Sequence, residues 1–141
     1  MQNTKIVMAR RPVGEPDDSC FSSVHEEVPE LEEGQILIKV IWLSLDPYMR
    51  GRMNDVKSYA KPLQPGDVMP GESAGVVLQS RSARFVPGDH VTIHQGWQSV
   101  IVSDDTDPRL MKVDLANGTL SAHLGVVGMP GRTAYFGLQE L

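Results

Sequence analysis

The stretch Gln35-Ile-Leu-Ile-Lys-Val-Ile-Trp-Leu-Ser-Leu-Asp-Pro-Tyr-Met-Arg-Gly-Arg-Met53 decides what kind of fold this chain adopts. Its first half, Gln35 to Leu43, is rich in β-branched residues and carries one charge, Lys39. Such a run reads as a strand buried on both faces for part of its length. Gly34, just before it, is a natural turn residue. The second half, Leu43 to Met53, changes character at Pro47, which fixes the backbone and bars a regular strand there. Tyr48 follows with a hydroxyl that both donates and accepts. Arg50 and Arg52 come next. A rigid strand end that presents an aromatic hydroxyl beside cations suits the wall of a binding site.

Outward from this stretch, 13 glycines and 10 prolines cut the chain into short pieces, a punctuation that suits a β-rich domain. Further strands are expected at Lys5–Ala9, Phe21–Val28, Gly75–Gln79, His90–His94, Trp97–Val102 and Leu110–Val113. The two strands around Gly96 read as a hairpin, with Trp97 as its one large core residue. Pro62 to Pro70 is a loop, and Val86-Pro87-Gly88-Asp89 is a tight turn. The end of the sequence differs. Pro130 to Leu141 reads as a helix, with Pro130 suited to its first turn. Ala134, Tyr135, Leu138 and Leu141 form one apolar stripe. No cap follows, so the element is expected to be cut short, or to pack on a partner that lies beyond Leu141.

With 141 residues, 40% of them hydrophobic and 22% charged, the chain is long enough for one domain with a real core. A formal net charge of -5 makes nucleic acid a poor partner. The early acids, Asp17 to Glu33, read as a solvated, turn-rich surface. Cys20 is the only cysteine, so neither an intrachain disulfide nor a thiolate cluster is available, and it reads as a small hydrophobe. No basic segment followed by an apolar stretch opens the sequence and no apolar run approaches a membrane span. A cytoplasmic protein without membrane contact is the expectation.

Four blocks carry a family resemblance. They are Leu43 to Met53; Pro70-Gly-Glu-Ser-Ala-Gly75; Gly88-Asp-His-Val91 with Gly96-Trp-Gln98; and Leu124-Gly-Val-Val-Gly-Met-Pro-Gly-Arg-Thr-Ala-Tyr-Phe-Gly-Leu138. Together they resemble the N-terminal part of zinc-independent medium-chain dehydrogenases/reductases. The nearest group is the prostaglandin reductase / leukotriene B4 12-hydroxydehydrogenase type with its bacterial curcumin-reductase-like relatives. The resemblance implies a mainly β, GroES-like, partly open barrel with short helices over residues 1–125. Residues 126–141 would be a linker and first helix toward a Rossmann domain absent from this chain. It also implies NADPH as cofactor, and reduction of the C=C bond of a small-molecule enone or alkenal by hydride transfer.

The dinucleotide fingerprint needs two glycines separated by one residue. No pair of glycines here has that spacing; Gly125, Gly128 and Gly131 recur every third position instead. The chain alone is therefore expected neither to bind NADPH tightly nor to turn over substrate. In zinc-using relatives a cysteine and a histidine occupy the places that motif alignment gives to Asp46 and Gly71, and glycine has no side chain to bind a metal. His90 and His94, four apart on a strand, would stand about 13 Å apart, too far to share an ion. No metal site is expected, and His25 and His123 read as surface or packing residues.

Without zinc, a hydrogen-bond donor must face the carbonyl oxygen on which negative charge builds. Tyr48 is the catalytic and substrate-binding candidate; packing at a strand end is the other role open to it. Tyr59 is a second candidate for lining the pocket. Arg50 and Arg52 fit attraction of cofactor phosphates or an acidic substrate, and they fit surface or interlobe ion pairs better. By resemblance, Pro47, Met129 and Thr133 belong to the cofactor side, near nicotinamide or its ribose. Thr133 also suits a local bond to its own helix. Arg132 departs from many relatives and bears on packing at the helix start. Two other functions fit the chain: a quinone- or alcohol-oxidoreductase lobe of the same superfamily, and a stand-alone binding or scaffold domain. A homodimer through the apolar helix face is a further possibility for the assembly.

Overall fold

The computed structural model describes residues 1–140. The order of elements is β1 (Gln2–Met8), β2 (Phe21–Glu27), β3 (Gln35–Leu43), α1 (Tyr48–Arg52), β4 (Ser73–Ser80), β5 (His90–Ile93), β6 (Val100–Asp104), β7 (Met111–Lys112) and α2 (Met129–Gln139). Short 3₁₀ turns lie at Asp18–Cys20, Leu115–Asn117 and Leu120–Leu124. The fold is mainly β, as the punctuation of the sequence implies.

A five-stranded antiparallel sheet runs β6-β3-β4-β5-β7, and β1 pairs β2 in a separate two-stranded sheet. Two isolated bridges, Lys5 with Gln98 and Val7 with Val68, join the sheets. Main-chain bonds from Ile6 N–H to Trp97 O (3.0 Å) and from Met69 N–H to Ile6 O (2.9 Å) extend that seam. The buried Asn3 amide ties it further, donating to Gln98 Oε1 and accepting from the Val100 N–H. The result is the partly open, GroES-like barrel.

β3 is central because its sequence allows it to be. Ile36, Leu37 and Ile38 are buried in succession, so both faces of its first half are covered. Ile41 and Trp42, in the second half, are exposed. One core cluster gathers Ile36, Ile38, Val77, Val91, Ile93 and Ile101 with Phe85 and Leu110. Each such side chain stabilises the fold by about 1.5–3 kcal/mol when fully buried. A second cluster, Met8, Cys20, Met53, Leu63 and Met69, lies under α1 with Phe21 and Trp97 packed against it. Cys20 is a buried free thiol within it, as its lone occurrence suggests.

Two expectations are corrected. The strands around Gly96 do not form a hairpin: β5 pairs β4 and β7, while β6 crosses to pair β3. Gly96 has φ +84°, and a Cβ there would stand 2.4 Å from the Met69 carbonyl oxygen. The chain at this point is pressed against the 68–69 segment and cannot fold back on β5. Likewise Tyr48 is not on a strand end. Pro47 adopts helical angles (φ -56°, ψ -31°), and Tyr48 opens α1. The proline that ends extended structure also has the φ a first helical turn needs.

α2 begins at Met129, one residue before the expected start. Its first turn packs closely on the preceding 3₁₀ turn and on Val126. Cβ atoms at Gly128 and Gly131 would meet the His123 and Val126 carbonyl oxygens at 2.1 and 1.7 Å. Tyr135, Phe136 and Leu138 remain exposed; Leu141, the last member of the expected stripe, lies outside the described residues.

Candidate functional site

Where β3 gives way to α1, the chain passes the ends of β4 and β5. Ser44 N–H donates to the Glu72 carbonyl (2.9 Å), and Glu72 N–H donates to Ser44 Oγ (3.3 Å), which fixes the 43–46 segment against the start of β4. Ser44 Oγ–H in turn donates to Asp46 Oδ2 at 2.8 Å. α1 then carries Tyr48 over the end of β5, where its Oη lies 2.9 Å from His94 Nε2. The two rings stack, with centroids 6.3 Å apart and planes 26° from parallel.

These groups open on a cleft of about 290 Å³ lined by Asp46, Tyr48, Glu72, His94, Arg109, Met111 and Met129. Arg109 is held by Asp107 through two contacts, 3.0 and 2.7 Å. That pairing holds the Asp107 carboxyl at a pKa of about 2. Burial pushes the Tyr48 phenol above its ordinary pKa, with the Asp46 carboxylate adding to the effect and Arg52 opposing it. The phenol therefore stays protonated at neutral pH, which is the state of a donor. Burial also pushes the Glu72 carboxyl up, opposed by His94 and Arg132. Chemically, the cleft offers a neutral phenolic donor beside an imidazole, with two methionines supplying apolar wall.

A second cleft, about 320 Å³ and mostly apolar, lies on the other side of α1 between Pro47, Met49, Phe21 and Trp97. Gly71 lies against the Trp97 indole, which lines this second cleft. A Cβ there would stand 3.0 Å from the Trp97 indole and 3.2 Å from Leu43 Cδ1. A histidine at this place would have to displace Trp97, which stacks on Phe21 at 5.9 Å. Among the described residues no group of three or more His, Cys, Asp or Glu side chains is arranged to hold a metal ion.

Residues 4–113 match a family described as the N-terminal domain of oxidoreductase. This chain belongs to that family. Over 140 residues it is 41% identical to the NADPH-dependent curcumin reductase of Escherichia coli K12, covering 99% of the chain and 40% of that protein. It is 40% identical to prostaglandin reductase 1 of Rattus norvegicus, covering 91% of the chain and 37% of that protein. The crystal structure of CurA in complex with NADPH from Vibrio vulnificus superposes with a TM-score of 0.88 at 40% identity, over 98% of the chain and 40% of CurA. The chain thus spans about two fifths of the length of these relatives. They place it with the zinc-independent medium-chain dehydrogenases/reductases.

In this oxidoreductase N-terminal domain the sequence candidates do not all converge. Tyr48 and Met129 share the 290 Å³ cleft. Pro47 and Arg50 line the apolar cleft instead. The Arg50 guanidinium bonds Asn54 Oδ1 and the Gly14 carbonyl, both at 2.7 Å, and so faces away from Tyr48. Arg52 Nε donates to the Lys61 carbonyl rather than to an acid. Tyr59 is 83% exposed and lines neither cleft. Thr133 Oγ1–H donates to the Met129 carbonyl at 2.9 Å, the local bond that its position in the first turns allows. Arg132 Nε points back to the Gly128 carbonyl (3.4 Å), beside Glu72.

Four cleft residues, Glu72, His94, Arg109 and Met111, carry no site role in the sequence reading. Glu72 sits inside a motif block but had no partner to give it meaning. His94 was weighed only as a metal ligand, because its partner Tyr48 lies 46 positions away.

Proposed function

We propose that this domain is the substrate-side lobe of an NADPH-dependent reductase that saturates the C=C bond of conjugated enones and alkenals. The observation that carries this reading is a half-buried Tyr48 phenol that lines a partly apolar cleft, with His94 Nε2 2.9 Å from its hydroxyl. Support comes from the relatives, one named an NADPH-dependent curcumin reductase and another prostaglandin reductase 1. Adding hydride to the β-carbon of an enone moves an electron pair onto the carbonyl oxygen, and the enolate so formed then takes a proton at its α-carbon from solvent to give the saturated ketone. A donor aimed at that oxygen stabilises the enolate more than the ground state, and so accelerates the step. Tyr48 is that donor here. Met111 and Met129 exclude water from the developing charge and take up the apolar body of the substrate.

NADPH, when bound by the intact protein, would supply the hydride. The described residues include no glycine-rich phosphate cradle, so their fit to the cofactor is limited to its nicotinamide end. Met129, on the cleft wall and at the start of α2, is the residue of this chain placed to meet it. Thr133 steadies that position through its bond to the Met129 carbonyl. Residues 126–141 would then connect this lobe to a separate nucleotide-binding domain, and the exposed α2 face would pack on that domain. The intact enzyme is proposed to be cytoplasmic.

The decisive test is Tyr48→Phe in the intact oxidoreductase that carries this lobe, with benzylideneacetone as substrate. Loss of one oxyanion donor is expected to lower kcat about a hundredfold, with a smaller change in KM. Wild-type turnover by the variant would remove Tyr48 from the chemistry.

A further inference from the structure

The Tyr48–His94 contact has a polarity that matters to the proposed reaction. Among the described residues His94 Nε2 is the one protein group within hydrogen-bond distance of Tyr48 Oη, at 2.9 Å. Of the other polar walls of the cleft, Asp46 accepts from Ser44 and Arg109 is fixed on Asp107, while the Glu72 carboxyl, whose charge is felt by His94, makes no side-chain hydrogen bond among the described residues. A neutral imidazole carries its proton on one nitrogen only. If that nitrogen is Nδ1, the phenol must donate to Nε2, and its proton is no longer available to a substrate. If it is Nε2, the ring donates to Oη and the phenolic proton turns into the cleft. A phenolic O–H prefers the ring plane, where it has two directions. His94 Nε2 lies 2.9 Å from Oη, and the near-parallel rings keep it beside the hydroxyl.

We propose that His94 is a positioning residue: its Nε2–H donates to Tyr48 Oη and so directs the phenolic proton toward the substrate carbonyl. This rests on Tyr48 being the carbonyl donor. No proton need change hands. As charge grows on the substrate oxygen, the chain from Nε2–H through Oη–H to that oxygen polarises in one direction, and each bond strengthens the next. Arrival of a carbonyl acceptor selects the Nε2–H tautomer, because the alternative would oppose a lone pair on Oη to a lone pair on the substrate.

The test uses the intact oxidoreductase and benzylideneacetone. His94→Leu removes the donor at similar size, and is expected to lower kcat about two- to tenfold, the worth of one net hydrogen bond, with KM little changed. His94→Gln keeps an N–H in reach and should restore most of the loss. In a Tyr48→Phe background, His94→Leu should add nothing. Imidazole-nitrogen NMR of the unmutated enzyme saturated with benzylacetone, the reduced product, should find the His94 proton on Nε2; this measurement stands even where a variant fails to fold. Wild-type kcat in His94→Leu, equal losses in the Leu and Gln variants, or an Nδ1–H tautomer in the product complex would each overturn the assignment. If Tyr48→Phe is slow while His94→Leu is not, only the His94 inference fails. If Tyr48→Phe itself is unimpaired, the reading of Tyr48 fails first.

Discussion

Gly71 shows how one missing side chain shapes the site. Its Cα hydrogen faces the Trp97 indole, and Trp97 is pinned by its stack on Phe21 and by the methionine cluster behind it. Replacing Gly71 by Ala removes backbone freedom from the unfolded chain, which by itself stabilises by about 0.4–1 kcal/mol. The new methyl, however, must push Trp97 or Leu43 outward, and overpacking costs about 1–3 kcal/mol. Gly71→Ala is therefore expected to lower stability by about 1 kcal/mol net, read as a lower urea midpoint at unchanged slope. A midpoint equal to or above that of the native chain would show that Trp97 yields freely. At this scale the sequence was partly legible. Tyr48 stood out because a proline and a tyrosine interrupt an apolar run, and Met129 because it sits in a long motif. His94 was not legible, since its role depends on a contact with Tyr48 that no local spacing encodes. Arg50 was misleading for the opposite reason. Its motif neighbours are site residues, but α1 turns it to the far side, onto Asn54 and Gly14.

Elements were most legible where periodicity and punctuation agree. β3 has the bounds its apolar run implies, and β2 starts where expected. α1 was missed because five residues carry no helical periodicity, and Pro47 signals a break before it signals a helix start. Pairing was missed where neighbours in sequence are not neighbours in space, as with β5 and β6. α2 joins both lessons. Its existence is readable from Pro130 and the apolar spacing, but its anchoring depends on Gly131 lying against the Val126 carbonyl. Alanine is about 1 kcal/mol better than glycine inside a helix, so propensity alone favours Gly131→Ala. Sterics oppose it: the added Cβ would be 1.7 Å from a backbone oxygen, which has no rotamer to change. The clash should win. Hydrogen exchange of Gly131→Ala is expected to show faster exchange at the Gly128–Arg132 turn, with β3 and β4 protection unchanged. Native protection across the α2 start would contradict the packing account.

Across the whole molecule, two core clusters hold the barrel while the proposed chemistry collects at one rim, where β3, β4 and β5 end near α1 and α2. That arrangement supplies a donor and an apolar wall, yet nothing that cradles phosphate. Pyrophosphate binding in dinucleotide folds needs a strand, a glycine-rich turn and a helix N-terminus in succession. Here the Gly131 N–H at the start of α2 is already spent on the Gly125 carbonyl, at 3.1 Å, and Arg132 N–H on Gly128. The chain bears a formal net charge of -5, which further disfavours a polyanion. Titrating the 141-residue chain with NADPH, followed by calorimetry or by nicotinamide fluorescence, is therefore expected to give no saturable binding in the micromolar range. The intact oxidoreductase should saturate under the same conditions. Micromolar affinity of the isolated chain would mean that the 290 Å³ cleft and α2 hold more of the cofactor than the nicotinamide end proposed for them, and the proposed division of labour with a separate nucleotide-binding domain would have to be redrawn.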